Sequence, residues 1–295
     1  MIKIGFLVAG FKGFNFFKAI HRDCNVTFAS SYIVKGTLDG SFNHIKTLCQ
    51  ENGYKFIDRH NLKDDSFNDV NVIFVAGWQY IINRVDDRFI VLHDSVLPRF
   101  RGFCPTVTAL INGERNIGVT ALKPSEHVDR GPIYEQKSIA IEYPIKIKDA
   151  YLFLSDCYTQ IARNILKKAE NHSLASVQQN ESLATYSIWC GEEDYFIDWS
   201  WPSDKISRFV NAVSWPYHGA KTLYEGKEIL VDEVATINEL TFENRQTGKI
   251  WSLDNGVPTV VCGRGMIRIV LARDDEGRKV KFTRLRERFG CLRAV

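Results

Sequence analysis

The chain has 295 residues, of which 45% are hydrophobic and 25% charged, with a formal net charge of +3. That length accommodates two domains, the composition is that of an ordinary globular protein, and so small a net charge excludes a polyelectrolyte whose partner is chosen by bulk charge. No apolar stretch approaches the ~20 residues that span a bilayer, so no membrane partner is expected. The first apolar run, at Ile2–Ala9, lacks the basic leader and small-residue cleavage site of a signal peptide. Seven cysteines, at 24, 49, 104, 157, 190, 262 and 291, show no C-x-x-C spacing. They are scattered through apolar segments and read as reduced thiols of a cytoplasmic protein. Charge is uneven: residues 264–295 hold ten Arg or Lys against four Asp or Glu. Such an end suits an anion, phosphate or RNA, and it equally suits a solvated face.

In chain order, Ile2–Ala9 reads as a buried strand, followed by a turn at Gly10-Phe11-Lys12-Gly13-Phe14-Asn15 into a helix reaching about His21. The turn is not a G-x-G-x-x-G fingerprint. Its helix-start amides, with Lys12 and Asn15 beside them, suit a phosphate; a plain strand-to-helix turn is the alternative. Asn25–Ile33 is a second strand. Ser41 is the expected cap of a helix that Gly53 stops, and Tyr54–Ile57 a third strand. Val70–Val75 is a fourth, running into Ala76-Gly77-Trp78-Gln79. Phe89–Leu92 is an apolar strand ending at His93, and a helix is expected from Cys104 to Asn112. Further strands are expected at Gly118–Thr120 and Ser138–Ile141, and Asp149–Glu170 carries a helical apolar stripe. Strands alternating with helices predict an α/β domain with a mostly parallel, Rossmann-like sheet over residues 1–170. Asn171–Thr185, rich in Asn, Gln and Ser, begins a linker assigned to residues 171–190. Beyond it come Ile197-Asp198-Trp199, a helix expected to be capped by Ser203, and Pro216-Tyr217-His218-Gly219-Ala220. Five short strands follow between Lys221 and Ala272, giving a smaller β domain over residues 191–295.

The stretch that organises the chain is His93-Asp94-Ser95-Val96-Leu97-Pro98-Arg99-Phe100-Arg101-Gly102. Open α/β sheets bind ligands at the carboxyl ends of their strands, which is where His93 falls. Taken with Gly118-Val119-Thr120 and Asp129-Arg130-Gly131-Pro132-Ile133, this order and spacing resembles the formyltransferase family, most like its sugar-nucleotide N-formyltransferases. That family moves a formyl group from N10-formyltetrahydrofolate to an amine. The resemblance implies an enzyme, and for residues 191–295 an open β-barrel of the oligonucleotide-binding type. It implies a folate pocket at Val75, Gly77, Trp78, Leu97, Gly131 and Ile133. Gly77 would let the backbone approach a flat ring, while Trp78 reads equally well as core. Acceptor contacts are expected from Lys12, Asn15, Gln79, Arg99 and Arg101.

Formyl transfer is acyl transfer to a neutral amine, so a proton must leave the attacking nitrogen and reach the departing one. An imidazole titrates near ~6.5 and suits that task. The role falls to His93, with Asp129, matching the family's aspartate, orienting the ring. No metal is required, and no zinc-like spacing is present. One departure stands out. The family places an asparagine two residues before the histidine, where its amide meets the developing oxyanion; here that residue is Val91. Loss of one such donor costs other enzymes roughly 10²–10³-fold.

The expected acceptor is the amine of a nucleotide-linked amino sugar of surface polysaccharide synthesis. The altered asparagine position points to a specialised branch, and Asn171–Thr185 contains no Lys or Arg, unlike the basic linker common in the tRNA enzymes. Methionyl-tRNA formylation is the alternative, resting on the basic C-terminal end. A non-catalytic folate- or nucleotide-binding protein and a formate-releasing hydrolase stay open, as does a homodimer.

Overall fold

The computed structural model describes residues 2–80, 82 and 86–290; Cys291 and the end of the expected β domain lie outside them. Two compact units divide the chain. The first holds residues 1–106, 115–141 and 148–188, and the second residues 107–114, 142–147 and 189–295.

The elements are, in order, β1 (Lys3–Val8), α1 (Gly10–Ile20), β2 (Asn25–Ser31), α2 (Ser41–Asn52), β3 (Lys55–Asp58), β4 (Val72–Ala76), β5 (Phe89–His93), β6 (Arg101–Gly102), α3 (Pro105–Asn112), β7 (Asn116–Leu122), β8 (Ile133–Ala140), α4 (Ile147–Glu170) and β9 (Tyr186–Ser187). After them come α5 (Ser203–Ala212), β10 (Ala220–Tyr224), β11 (Lys227–Ile237), β12 (Ile250–Asp254), β13 (Val257–Val261) and β14 (Met266–Arg273). The first unit is built on a seven-stranded sheet ordered β3-β2-β1-β4-β5-β7-β8. Its first five strands are parallel, while β7 and β8 run antiparallel to their neighbours. The mostly parallel sheet is thus as expected.

Both faces of the central strands are covered, which is why they read as continuous apolar runs. In β1, Phe6 meets Phe16, Phe17 and Phe74 with ring centroids 4.9–6.0 Å apart, and Phe16 reaches Tyr158 of α4. Leu7, one residue on, joins a different cluster with Phe28, Ile57, Phe67, Ile73, Val75 and Phe89. The period-two alternation of a strand divides the two layers. The α2 helix begins at Ser41 itself. The acceptor lies two residues earlier, where the Asp39 carboxylate takes Ser41 N, and Gly53 closes the helix at φ 70°.

Residues 171–188 form no free linker. Val177 exchanges two backbone hydrogen bonds with Ile133, and β9 pairs in parallel with β6. The physical reason is local satisfaction of backbone groups, which low-polarity packing demands and which composition does not encode.

The second unit carries an antiparallel sheet ordered β10-β11-β14-β13-β12, so all five expected strands exist. Residues 287–290 bond to both edges: Gly290 pairs with Leu223 of β10, while Glu287 O accepts from Ile250 N of β12. This segment thus links the two edge strands of the sheet. Trp199 is core, stacked on Phe289 at 5.3 Å with its Nε1 donating to Thr222 Oγ1 at 3.0 Å. Residues 107–114 and 142–147 belong to this unit rather than to the first, because the Tyr143 hydroxyl donates to Leu110 O and Glu114 O, and Arg208 Nε donates to Ile111 O. The α5 helix starts at Ser203, with Pro202 as the residue before it.

Candidate active site

In a sheet ordered 3-2-1-4-5, connections leave opposite faces on either side of the β1–β4 boundary, and the crevice lies outside the carboxyl ends there. Three segments meet that edge. Gly10–Lys12 follows β1, Gly77–Trp78 follows β4, and His93–Ser95 ends β5, whose Leu92 is level with Ala76 of β4. Gly77 has φ 67°, and a Cβ there would collide with Ala9 O. Only glycine lets β4 turn this tightly against the β1 exit.

His93 is buried, 8% exposed. Its Nε2 lies 2.9 Å from Phe100 O. A carbonyl only accepts, so Nε2 carries the hydrogen. In the neutral ring Nδ1 is then the basic nitrogen, and it faces Asp129 Oδ2 at 3.5 Å. Gly102 N donates to that same carboxylate oxygen at 2.8 Å. Phe100, Cys104 and Asp129 all adopt left-handed φ, at 57°, 50° and 57°. Non-glycine residues hold such values only when their surroundings enforce them, and two of the three, Phe100 and Asp129, meet His93 directly.

The enforcement is visible. Arg101 is fully buried. Its guanidinium forks onto Glu181 at 2.8 and 2.7 Å and onto Gln179 Oε1 at 3.1 and 2.8 Å. Gln179 Nε2 in turn donates to Asp129 O at 2.7 Å and Gly131 O at 2.8 Å. Gly102 has φ 99°, and a Cβ on it would strike Ser187 O of β9. One brace thus runs from the β5 exit through residues 179–187 to the Asp129 loop. Gly131 is fixed as well, since a Cβ there would meet Lys123 O.

Lys12 and Asp94 form an ion pair beside this edge, with side chains 21% and 3% exposed. Burial pushes the Lys12 ammonium down from 10.5 to about 8. Burial, with Cys104 and Asp129 adding, raises the Asp94 carboxyl well above its usual range. Both shifts have one cause: the interior disfavours separated charges.

The expected site residues are therefore not all in one place. His93, Asp129 and Gly131 are brought together, and Lys12 Cε would lie 3.5 Å from a Cβ on Gly77. Trp78 is half-buried, edge-on to Tyr32 at 5.1 Å, and it packs against the core with Val91. Gln79 and Arg99 are exposed; Gln79 N is held by the Tyr32 hydroxyl at 2.9 Å, and Arg99 lies over the Phe100 ring. Val75 is buried in the β4 ladder. Leu97 uses both its backbone groups internally, through Thr120 and Gln136, and Ile133 uses its own on Val177. Three expectations need correction. Arg101 does not face the loop surface: it is fully buried, and four of its five N–H groups are taken by Gln179 and Glu181. Asn15 folds back onto Phe11 O at 2.7 Å. The helix start at Lys12 does not suit a phosphate, because Asp94 already balances the Lys12 charge and the Asp39 carboxylate already accepts from Phe11 N there. Two carboxylates there would repel a phosphate. Among the described residues no group of three or more His, Cys, Asp or Glu could hold a metal ion.

Comparison with known proteins decides the family. Residues 50–151 match the Formyl transferase model, and residues 191–289 match the model Formyl transferase, C-terminal domain. The chain belongs to the formyl transferase family. This formyltransferase is 26% identical over 252 residues to the methionyl-tRNA formyltransferase of Caldanaerobacter subterraneus, covering 81% of this chain and 80% of that one. Its fold is shared with WlaRD, a sugar 3N-formyl transferase solved in the presence of dTDP and 5-N-formyl-THF, with TM-score 0.68, 18% identity, and coverage of 91% and 97%. It is also shared with HypX from Aquifex aeolicus in complex with tetrahydrofolic acid, with TM-score 0.62, 17% identity and 95% of this chain covered. The formyltransferase spans 46% of the HypX chain.

Two parts of the formyltransferase site escaped sequence reasoning. Gln179 and Glu181 sat in a segment read as linker; the available signal was Arg101, an arginine next to a tight glycine turn that needs a carboxylate if buried. Asp94 adjoins a buried histidine and needed a cation, yet nothing local named Lys12, 82 residues away.

Proposed function

We propose that this chain transfers a formyl group from N10-formyltetrahydrofolate to the amine of a nucleotide-linked amino sugar. The observation that carries the chemistry is the buried His93–Asp129 pair at the carboxyl end of β5, with one ring nitrogen committed to Phe100 O and the other left basic. The residues at the edge fit the folate. Half-buried Trp78 and Ile133 offer apolar surface there, with buried Leu97 behind it. When bound, N10-formyltetrahydrofolate supplies the formyl group on a nitrogen that can depart.

His93 does the proton work. Its Nδ1 takes the proton released by the acceptor amine as that nitrogen bonds to carbon, and holds it for the departing nitrogen. The Asp129 carboxylate stabilises the imidazolium in the interval. Arg101 and Gln179 keep Asp129 in its left-handed turn and so act as positioning residues.

The sugar acceptor is favoured by the segment 171–188, which has no Lys or Arg and is spent on bracing the site, and by the likeness to WlaRD. A tRNA acceptor is favoured by the sequence relatives, which are named methionyl-tRNA formyltransferases, and by the basic residues 264–288. The test is turnover with N10-formyltetrahydrofolate on a panel of nucleotide-linked amino sugars, with initiator methionyl-tRNA alongside. Formylation of a sugar, weakly dependent on salt, is the expected result. Formylation of tRNA alone, falling steeply with salt as phosphate contacts do, would overturn the acceptor.

A further inference from the structure

Acyl transfer places negative charge on the carbonyl oxygen, and a site that accelerates it needs a donor aimed there. The side chain that shares the β5 face with His93, two residues earlier, is Val91, which has no donor. Several other donors at this edge are spent. Ser95 Oγ donates to Arg99 O, and Thr120 Oγ1 to Ser95 O, each at 2.7 Å. Thr106 Oγ1 donates to Asp94 O, Gly102 N serves Asp129, and Arg101 serves Gln179 and Glu181. Lys12 differs. Its ammonium has three N–H groups and one acceptor, Asp94 Oδ2, with the Tyr151 ring 5.3 Å away. Asp94 is shut from solvent, while the Lys12 side chain keeps a fifth of its exposure. It lies where ligands enter such sheets, after β1, against Gly77, and anchored on the residue that follows His93.

Resting on the formyl-transfer reading, we propose that Lys12 is a catalytic residue whose ammonium, oriented by Asp94, donates a hydrogen bond to the formyl oxygen as that oxygen gains negative charge. Asp94 is its positioning residue. The lowered basicity of the ammonium agrees with this task, since a more acidic donor bonds a developing anion more strongly. Val91 and Lys12 are then alternative places for one function, an apolar strand position being compensated from the neighbouring β1 exit.

The test compares equilibrium binding, by calorimetry, of 10-formyl-5,8-dideazafolate and 5,8-dideazafolate. The wild type is expected to prefer the formylated compound about tenfold, the size of one hydrogen bond to a charged donor. Lys12→Met is expected to erase that preference, raising KM for the formyl donor by about the same factor, and to lower kcat by roughly 10²–10³-fold. Lys12→Met/Asp94→Asn leaves no buried carboxylate unpaired; it should fold as the wild type does and show the same losses. Adding Val91→Asn to Lys12→Met should restore part of kcat, because an amide then faces the site from the strand. A formyl preference that survives in both Lys12 variants would overturn the inference, as would an undiminished kcat. If neither folate analogue binds the wild type, it is the formyl-transfer reading itself that fails.

Discussion

Arg101 and Lys12 are two cations folded into the same unit, and they are satisfied to very different degrees. Arg101 is wholly buried and gives four hydrogen bonds to two partners. Lys12 gives one, to Asp94, and stays partly open. A saturated donor can only hold structure, whereas an unsaturated one at the mouth of a crevice has capacity left for a ligand. The arginine's fork matches carboxylate and amide geometry and suits bracing; the lysine's compact ammonium shifts with its surroundings and suits chemistry.

That contrast can be tested from both ends. The largest effect is expected from Arg101→Met. It leaves Gln179 Oε1 without its donor and frees the Asp129 loop, so stability should fall by roughly 1–3 kcal/mol, the cost of buried polar groups left unmade. Urea unfolding would read this, and kcat should fall with it because Asp129 loses its register. Full stability in that variant would show that the brace is ornamental. A smaller effect concerns pH. Lys12 must be cationic to donate, and its ammonium is lowered to about 8, so kcat should decline as pH rises through about 8. The groups facing it are Asp94, Cys104 and the Tyr151 ring. Lys12→Arg, which stays charged, should carry that limb out of the accessible range; a limb unmoved by this change would assign it to another group.

Much of this was legible in the amino-acid order. The apolar runs of β1, β4 and β5 mark strands covered on both faces, and His93 at the end of such a run marks the ligand edge. The Gly53 stop and the five strands of the second unit were equally plain. Other features were not, for identifiable reasons. Strand direction is set by connections and partners, so the antiparallel sense of β7 and β8 leaves no local trace. The pairing of β6 with β9 uses backbone groups of four residues, too few for a pattern. Lys12 and Arg101 both read as acceptor contacts, because burial of a charge depends on partners distant in sequence: Asp94 for one, Gln179 and Glu181 for the other. The helix starts at Ser41 and Ser203 were displaced by one residue, since the preceding segments already supplied the turn.

The central claim is that His93 Nδ1 carries the proton of transfer while the folate is held by other groups. Its most direct test is His93→Asn, measured in parallel for single-turnover formyl transfer and for folate binding. The account predicts a loss of at least roughly 10²-fold in transfer, the lower bound for a positioned general base, with folate affinity within a few-fold of wild type. Transfer at a near-normal rate, with binding intact, would contradict it.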